Sequence, residues 1–324
     1  MRANRVAHAY LFQGSAGVGK RAVADAFAAA LLCDSPRDHE ACANCASCAK
    51  FRASTHPDFH ILEVPGGKSR IPIEQYHAVE TELRLVAQEG GRRVAIVDPA
   101  DLLSFEAQHA FLKTLEEPRP GTVFILITSR PSALVVTILS RCQRVGFGPI
   151  PADKVYEVLS KRSDIEAQRA GLLAGLARGS LGRALALNDE KTLAEMDMML
   201  EVADSAASGL LGPALEWAEG IRYTEEDRAR AVLLLDLLLL NLRDLMVLAS
   251  GGETADLARA DRAEKLHRQS GRGGAARRAG KAYTRILEAQ RDIRRNVNPA
   301  LALQGMFAEL AADSPPPAEG SVGP

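Results

Sequence analysis

The chain has 324 residues, 47% of them hydrophobic and 25% charged, with 40 Lys and Arg against 41 Asp and Glu for a net charge of −1. That length implies two or three packed domains, because a single core stops growing at about 250–300 residues. A charge this close to neutral excludes a protein held on nucleic acid or anionic lipid by its overall field, so any DNA contact is local or shared with partners.

The opening "MRANRVAHAYLFQG" lacks the apolar core and small-residue cleavage site of a secretory signal, which predicts a cytoplasmic protein. Strand and helix patterns then alternate. "HAYLFQG" (8–14) predicts a strand and "GKRAVADAFAAALLC" (19–33) an Ala-rich helix. "DFHILEV" (58–64) predicts a second strand and "IPIEQYHAVETELRLVAQ" (71–88) a helix. "RRVAIVD" (92–98) reads as a third strand, "SFEAQHAFLKTLEE" (104–117) as a helix with Ser104 as N-cap, and "TVFILIT" (122–128) as a fourth strand. Such alternation predicts an α/β fold with a parallel sheet flanked by helices.

Where the first strand meets its helix stands "GSAGVGKR" (14–21), which fills seven of the eight places of the phosphate-loop pattern G-x-x-x-x-G-K-[ST]. Gly14, Gly17, Gly19 and Lys20 stand where backbone N–H groups and a lysine cradle phosphates. Arg21 takes the eighth place, where a Ser or Thr hydroxyl would hold magnesium. Asp98 ends the strand "VAIVDP" (94–99) at the place of a magnesium-binding carboxylate, and Pro99 follows where many such ATPases carry a water-polarising Glu. Asp101 is three residues on, in a different orientation. Two catalytic parts are missing, so hydrolysis in the chain's own site is not expected, while the glycines and Lys20 still permit ATP or ADP to bind.

Four of the five cysteines, Cys33, Cys42, Cys45 and Cys48, follow the spacing C-x8-C-x2-C-x2-C. Thiols in a cytosolic chain stay reduced, and this pattern suits a closed, four-thiolate structural zinc site.

From Ala152 to about Leu310 only helical periodicity is found. The apolar run at 231–249 is interrupted by Asp236, Asn241, Arg243 and Asp244, which favours a buried helix over a membrane span. The basic, glycine-rich stretch at 268–281 predicts a solvated loop between two helices, and the Pro/Gly-rich tail at 313–324 predicts disorder.

Several of these stretches coincide in one family. "HAYLFQGSAGVGK" (8–20), the cysteine insert, "THPDF" (55–59), "FLKTLEEP" (111–118), "TSRP" (128–131) and "SRCQ" (140–143) resemble the bacterial clamp-loader subunits of DNA polymerase III, which are AAA+ proteins, and among them the delta-prime type. "GSLGRALAL" (179–187) and "NVNPALALQGMF" (296–307) extend the likeness towards the C-terminus. The resemblance implies an AAA+ P-loop domain at 1–149 with its zinc insert at 33–48, a helical lid at 150–190 and an all-α collar at 191–312. It also implies more residues before "HAYLF" than the seven present.

On the residues alone, Arg141 is a surface arginine at a helix end. By the resemblance it is a trans arginine finger acting on ATP bound by a neighbour, a role suited to a planar, always-charged guanidinium. Thr128 stands at the place that senses the γ-phosphate in relatives. The lid arginine of motor subunits falls here on Gly182, so Arg183 is shifted by one. The implied partners are tau/gamma motors and delta in a hetero-pentameric ring, with the sliding clamp and primer–template DNA reached through the assembly and no membrane. The implied setting is the DNA polymerase III holoenzyme, a DNA-directed DNA polymerase. Two other readings are an active tau/gamma-like ATPase motor and a zinc-dependent DNA-binding module.

Overall fold

The computed structural model describes residues 6–89, 91–254 and 257–313. The expected tail lies outside the described residues beyond Asp313. The chain divides into two compact units, one of residues 1–151 with Gly179–Gly182 and one of residues 152–178 with 183–324.

The first unit runs β1 (Ala9–Gly14), α1 (Lys20–Leu32), α2 (Ala46–Arg52), β2 (Phe59–Leu62), α3 (Ile73–Arg84), β3 (Arg93–Val97), α4 (Phe105–Glu116), β4 (Thr122–Thr128), α5 (Val136–Arg141) and β5 (Gln143–Phe147). The five strands form one parallel sheet in the order β2-β3-β4-β1-β5. Every residue of β3 and β4 is buried, which is why these strands are almost continuously apolar.

Alternate residues serve opposite layers. Val94, Ile96, Val123, Ile125 and Ile127 pack with Ala24, Ala28 and Leu32 of α1. Ala95, Val97, Phe124 and Leu126 pack with Tyr76 of α3 and Phe111 of α4 on the other face. The Phe111 and Phe124 rings meet edge to face with centroids 5.0 Å apart. Truncating such a fully buried ring costs about 3–5 kcal/mol. Ser104 caps α4 as expected, its Oγ accepting the Ala107 N–H at 3.1 Å. With Gln13 beside Thr128 and Val97 beside Leu126, the parallel register brings the ends of β1, β3 and β4 to one edge of the sheet. Ligands of open α/β sheets bind at this edge.

The second unit is helical: α6 (Ala152–Ser160), α7 (Ala167–Leu176), α8 (Leu181–Ala186, whose first two residues group with the first unit), α9 (Glu190–Ala206), α10 (Gly212–Glu219), α11 (Glu225–Ala249), α12 (Ala263–Ser270), α13 (Ala275–Arg294) and α14 (Pro299–Ala312). The Leu-rich α11 packs against α9, α12, α13 and α14, which bury its apolar run. The interrupting charges are satisfied. Asp244 accepts the N–H groups of Ala258 and Arg259, and Asp236 accepts Gln290 Nε2 at 2.8 Å. Among the described residues, no helix is long and apolar enough to cross a membrane.

One expectation is corrected. Residues 268–281 are not a solvated loop: they comprise the end of α12, a short glycine-containing turn and the start of α13. The alanines and arginines that follow Gly274 are good helix formers, and only the clustered glycines break the run.

Candidate functional site

The loop between β1 and α1 has the close approach its sequence demands. At Gly14 a Cβ would lie 2.3 Å from the Phe147 carbonyl oxygen of neighbouring β5, so only glycine fits. Lys20 is buried and folds back over the loop, its Nζ donating to the carbonyls of Gly14 and Ser15, each at 2.7 Å, and to Ser129 Oγ at 3.3 Å. Burial lowers the Lys20 pKa, opposed by the nearby carboxylates of Asp98 and Asp101. Residues 180–182 hold the loop tip. Ser180 Oγ donates to the Ala16 carbonyl at 3.0 Å, and the Gly182 N–H donates to the Gly17 carbonyl at 3.0 Å. A Cβ on Gly182 would lie 3.0 Å from the Gly17 Cα, so a larger residue here, such as the arginine that the resemblance places in motor subunits, needs the loop backbone to shift.

Arg21 defines the electrostatics. Its Nη1 donates to Glu63 Oε1 at 2.8 Å and to Asp98 Oδ2 at 3.2 Å, while Nε donates to both carboxylate oxygens of Asp25. Burial opposes the charge, but the hydrogen bonds that Arg21 donates to Glu63, Asp25 and Asp98 outweigh it and raise the Arg21 pKa further. A magnesium ion does not fit the arrangement. The hydroxyl ligand is missing, and the carboxylate that would receive the ion is hydrogen-bonded to a guanidinium.

Asp101 lies in a single 3-10 turn, Ala100–Leu102, with both oxygens engaged. Oδ1 accepts Thr128 Oγ1 at 2.8 Å and Oδ2 accepts Arg130 Nε at 3.0 Å. Thr128 is fully buried, and its hydroxyl also accepts the Arg130 N–H at 2.9 Å. The strand-end hydroxyl thus braces the turn after β3, and it is Ser129 that faces Lys20. Arg183 is engaged inside the helical unit, where Nη1 donates to Asp236 Oδ2 at 2.9 Å.

The four cysteines come together. Cys33 caps the C-terminus of α1, Cys45 is the N-cap of α2, and Cys48 lies in the first turn of α2. All four Sγ atoms lie within 4.8 Å of one another, Cys33 and Cys45 at 3.9 Å. Tetrahedral zinc with bonds of about 2.3 Å requires sulfur–sulfur edges of about 3.8 Å, so the cluster could hold a metal such as zinc. The Cys42 thiol is lowered to about 6 by the Asn44 backbone N–H and by Cys33, whereas burial pushes Cys48 up to about 12.

Arg141 ends α5 with its side chain about one-third exposed. Its Nη2 donates to Glu116 Oε1 at 2.6 Å and its Nη1 to the Thr137 carbonyl at 3.1 Å.

A family model described as DNA polymerase III, delta subunit, matches residues 1–151. A DNA polymerase III subunit delta' of Pseudomonas aeruginosa is 44% identical over 136 residues, 42% of this chain and 42% of that protein. The delta' subunit of Bacillus subtilis is 28% identical over 312 residues, covering 95% of this chain and 90% of its own. Residues 1–151 are similar to the delta' subunits of DNA polymerase III. The Pseudomonas match thus spans less than half the length of that relative. Among solved structures, a DNA polymerase III gamma subunit-related protein of Thermotoga maritima matches 95% of each chain at 17% identity, with a TM-score of 0.49.

Three partners of the site arginines escape sequence reasoning. Asp25 had a local signal, standing four residues after Arg21 on one helix face. Glu63 had none, because it reaches Arg21 across 42 residues of chain. Glu116 lies in the "LEEP" stretch, but only the fold places it beside Arg141.

Proposed function

We propose that the chain works as the delta-prime-type subunit of a bacterial clamp loader, without ATP turnover of its own, and completes the ATP site of a neighbour. The observation that carries this is the contrast at the nucleotide edge of the sheet. Arg21 sits on Asp98, and Pro99 and the engaged Asp101 offer no free base. Arg141, by contrast, ends α5 with one carboxylate partner and a side chain about one-third exposed. A guanidinium delivered there would neutralise charge developing on the γ-phosphate, an effect worth about 10³ to 10⁵ in rate.

In this reading the cytoplasmic partners are tau/gamma-type motors and delta in a five-membered ring, and the clamp and primed DNA are met through that ring. Residues 150–190 serve as lid and 191–312 as collar, where helix packing joins subunits. Zinc bound by Cys33, Cys42, Cys45 and Cys48 braces the insert beside α1. Nucleotide, where it binds, is held by Gly14, Gly17, Gly19 and Lys20.

The test is reconstitution. The purified chain should show no ATP turnover above a Lys20→Ala control, and should co-elute with motor and delta subunits as one complex that loads clamp on primed DNA. Lys20-dependent turnover by the chain alone, or failure to enter the complex, contradicts the proposal.

A further inference from the structure

The two sides of the P-loop backbone are used unequally. The carbonyls of Gly14 and Ser15 accept Lys20, that of Ala16 accepts Ser180, and that of Gly17 accepts Gly182. Among the described residues, none of the N–H groups of Ala16, Gly17, Val18 and Gly19 donates a hydrogen bond. The carbonyls are therefore tied back while the donors stay free, which is the polarity a phosphate needs.

Beside those donors lies Arg21. A magnesium ion in such a loop bridges the nucleotide's phosphates to a hydroxyl and, as a hard cation, demands oxygen ligands at about 2.0–2.1 Å. This chain has no hydroxyl at position 21, and its Asp98 oxygen faces Nη1 of Arg21 at 3.2 Å. Glu63 and Asp25 hold the same guanidinium from two other directions, so its position is fixed before any ligand arrives. Nη2 makes no hydrogen bond among the described residues, which leaves one face of the fork for a phosphate oxygen.

We propose that Arg21 is the resident cation of this loop, standing in for magnesium, so that the loop holds a nucleoside diphosphate without a divalent ion. This rests on the reading that the P-loop keeps its place as a nucleotide site. It goes beyond that reading by replacing the metal with a side chain of the same chain. Guanidinium suits the task because it pairs with carboxylate and phosphate at once and never loses its charge.

The experiment titrates the full chain with a fluorescent N-methylanthraniloyl ADP, in magnesium chloride and again in EDTA. The wild-type dissociation constant should differ by less than about twofold between the buffers, and Lys20→Ala should abolish saturation. Arg21→Thr, which restores the hydroxyl, should bind at least about tenfold more weakly in EDTA than in magnesium. A thermal melt shows whether that variant is folded. If it is not, the wild-type comparison decides alone. Wild-type binding that weakens about tenfold or more in EDTA overturns the proposal. So does the absence of any saturable, Lys20-dependent binding in both buffers. The role of Arg141 is read separately, from turnover by the assembly, and neither outcome here alters it.

Discussion

Arg21 and Arg141 lie in the same unit and have equally exposed side chains, 34% each, yet their surroundings differ. Arg21 is gripped by three carboxylates, those of Asp25, Glu63 and Asp98. Arg141 has one, Glu116, which is itself half exposed and screened by solvent. Equal exposure thus hides a difference in bound carboxylates, three at Arg21 against one at Arg141. On the proposed function, Arg21 is committed to the chain's own loop and Arg141 to a neighbour's site.

That contrast breaks most sharply at Arg141. Arg141→Lys keeps the charge but loses the planar fork, so turnover at the served site should fall by about 10² or more with an unchanged melting temperature. Single-turnover hydrolysis in the assembled complex reads the first quantity and calorimetry the second. Arg21→Ala should do the reverse. Three carboxylates left without their cation should cost about 1–2 kcal/mol, a drop of about 2–4 °C in melting temperature, with assembly turnover unaffected. Gly182→Ala introduces a Cβ that would stand 3.0 Å from the Gly17 Cα and should cost about 1 kcal/mol by the same melt. Smallest is Glu116→Gln, a surface pair worth less than about 0.5 kcal/mol, which should leave stability nearly unchanged. A large stability loss there would mean that Arg141 is a structural tie and not an available group.

The sheet could be read from sequence where burial is two-sided. β3 and β4 are buried at every position, so their apolar runs announce them. β5 gave no such signal. It is an edge strand, "QRVGF", with three of its five residues exposed and the other two half-buried, and sequence reasoning placed no strand there. The helix α2 was hidden inside the cysteine insert, only seven residues long and rich in small residues. In the second unit, "RQSGRGGAARRAGK" misled because three of its glycines, Gly271, Gly273 and Gly274, sit in one turn, while the alanines and arginines after them build a helix that tolerates Gly280.

At the site, the loss of the magnesium hydroxyl was visible as a single letter, Arg21. What that arginine does instead depends on Glu63 and Asp98, which only the parallel sheet brings to it. Thr128 shows the same limit. Its position at a strand end was clear, but the commitment of its hydroxyl to Asp101 is a tertiary fact. The cysteine cluster needed no such help, because the spacing itself requires a turn that converges the thiols.

The most direct measurement compares ATP turnover by the reconstituted loader built with wild-type chain, with Arg141→Ala and with Arg21→Ala. A trans finger predicts that Arg141→Ala removes the stimulation contributed by this subunit, a loss of about 10³ at the site it serves, whereas Arg21→Ala retains it. Full turnover with Arg141→Ala, or loss with Arg21→Ala in a folded, assembled complex, would contradict the assignment of the two arginines.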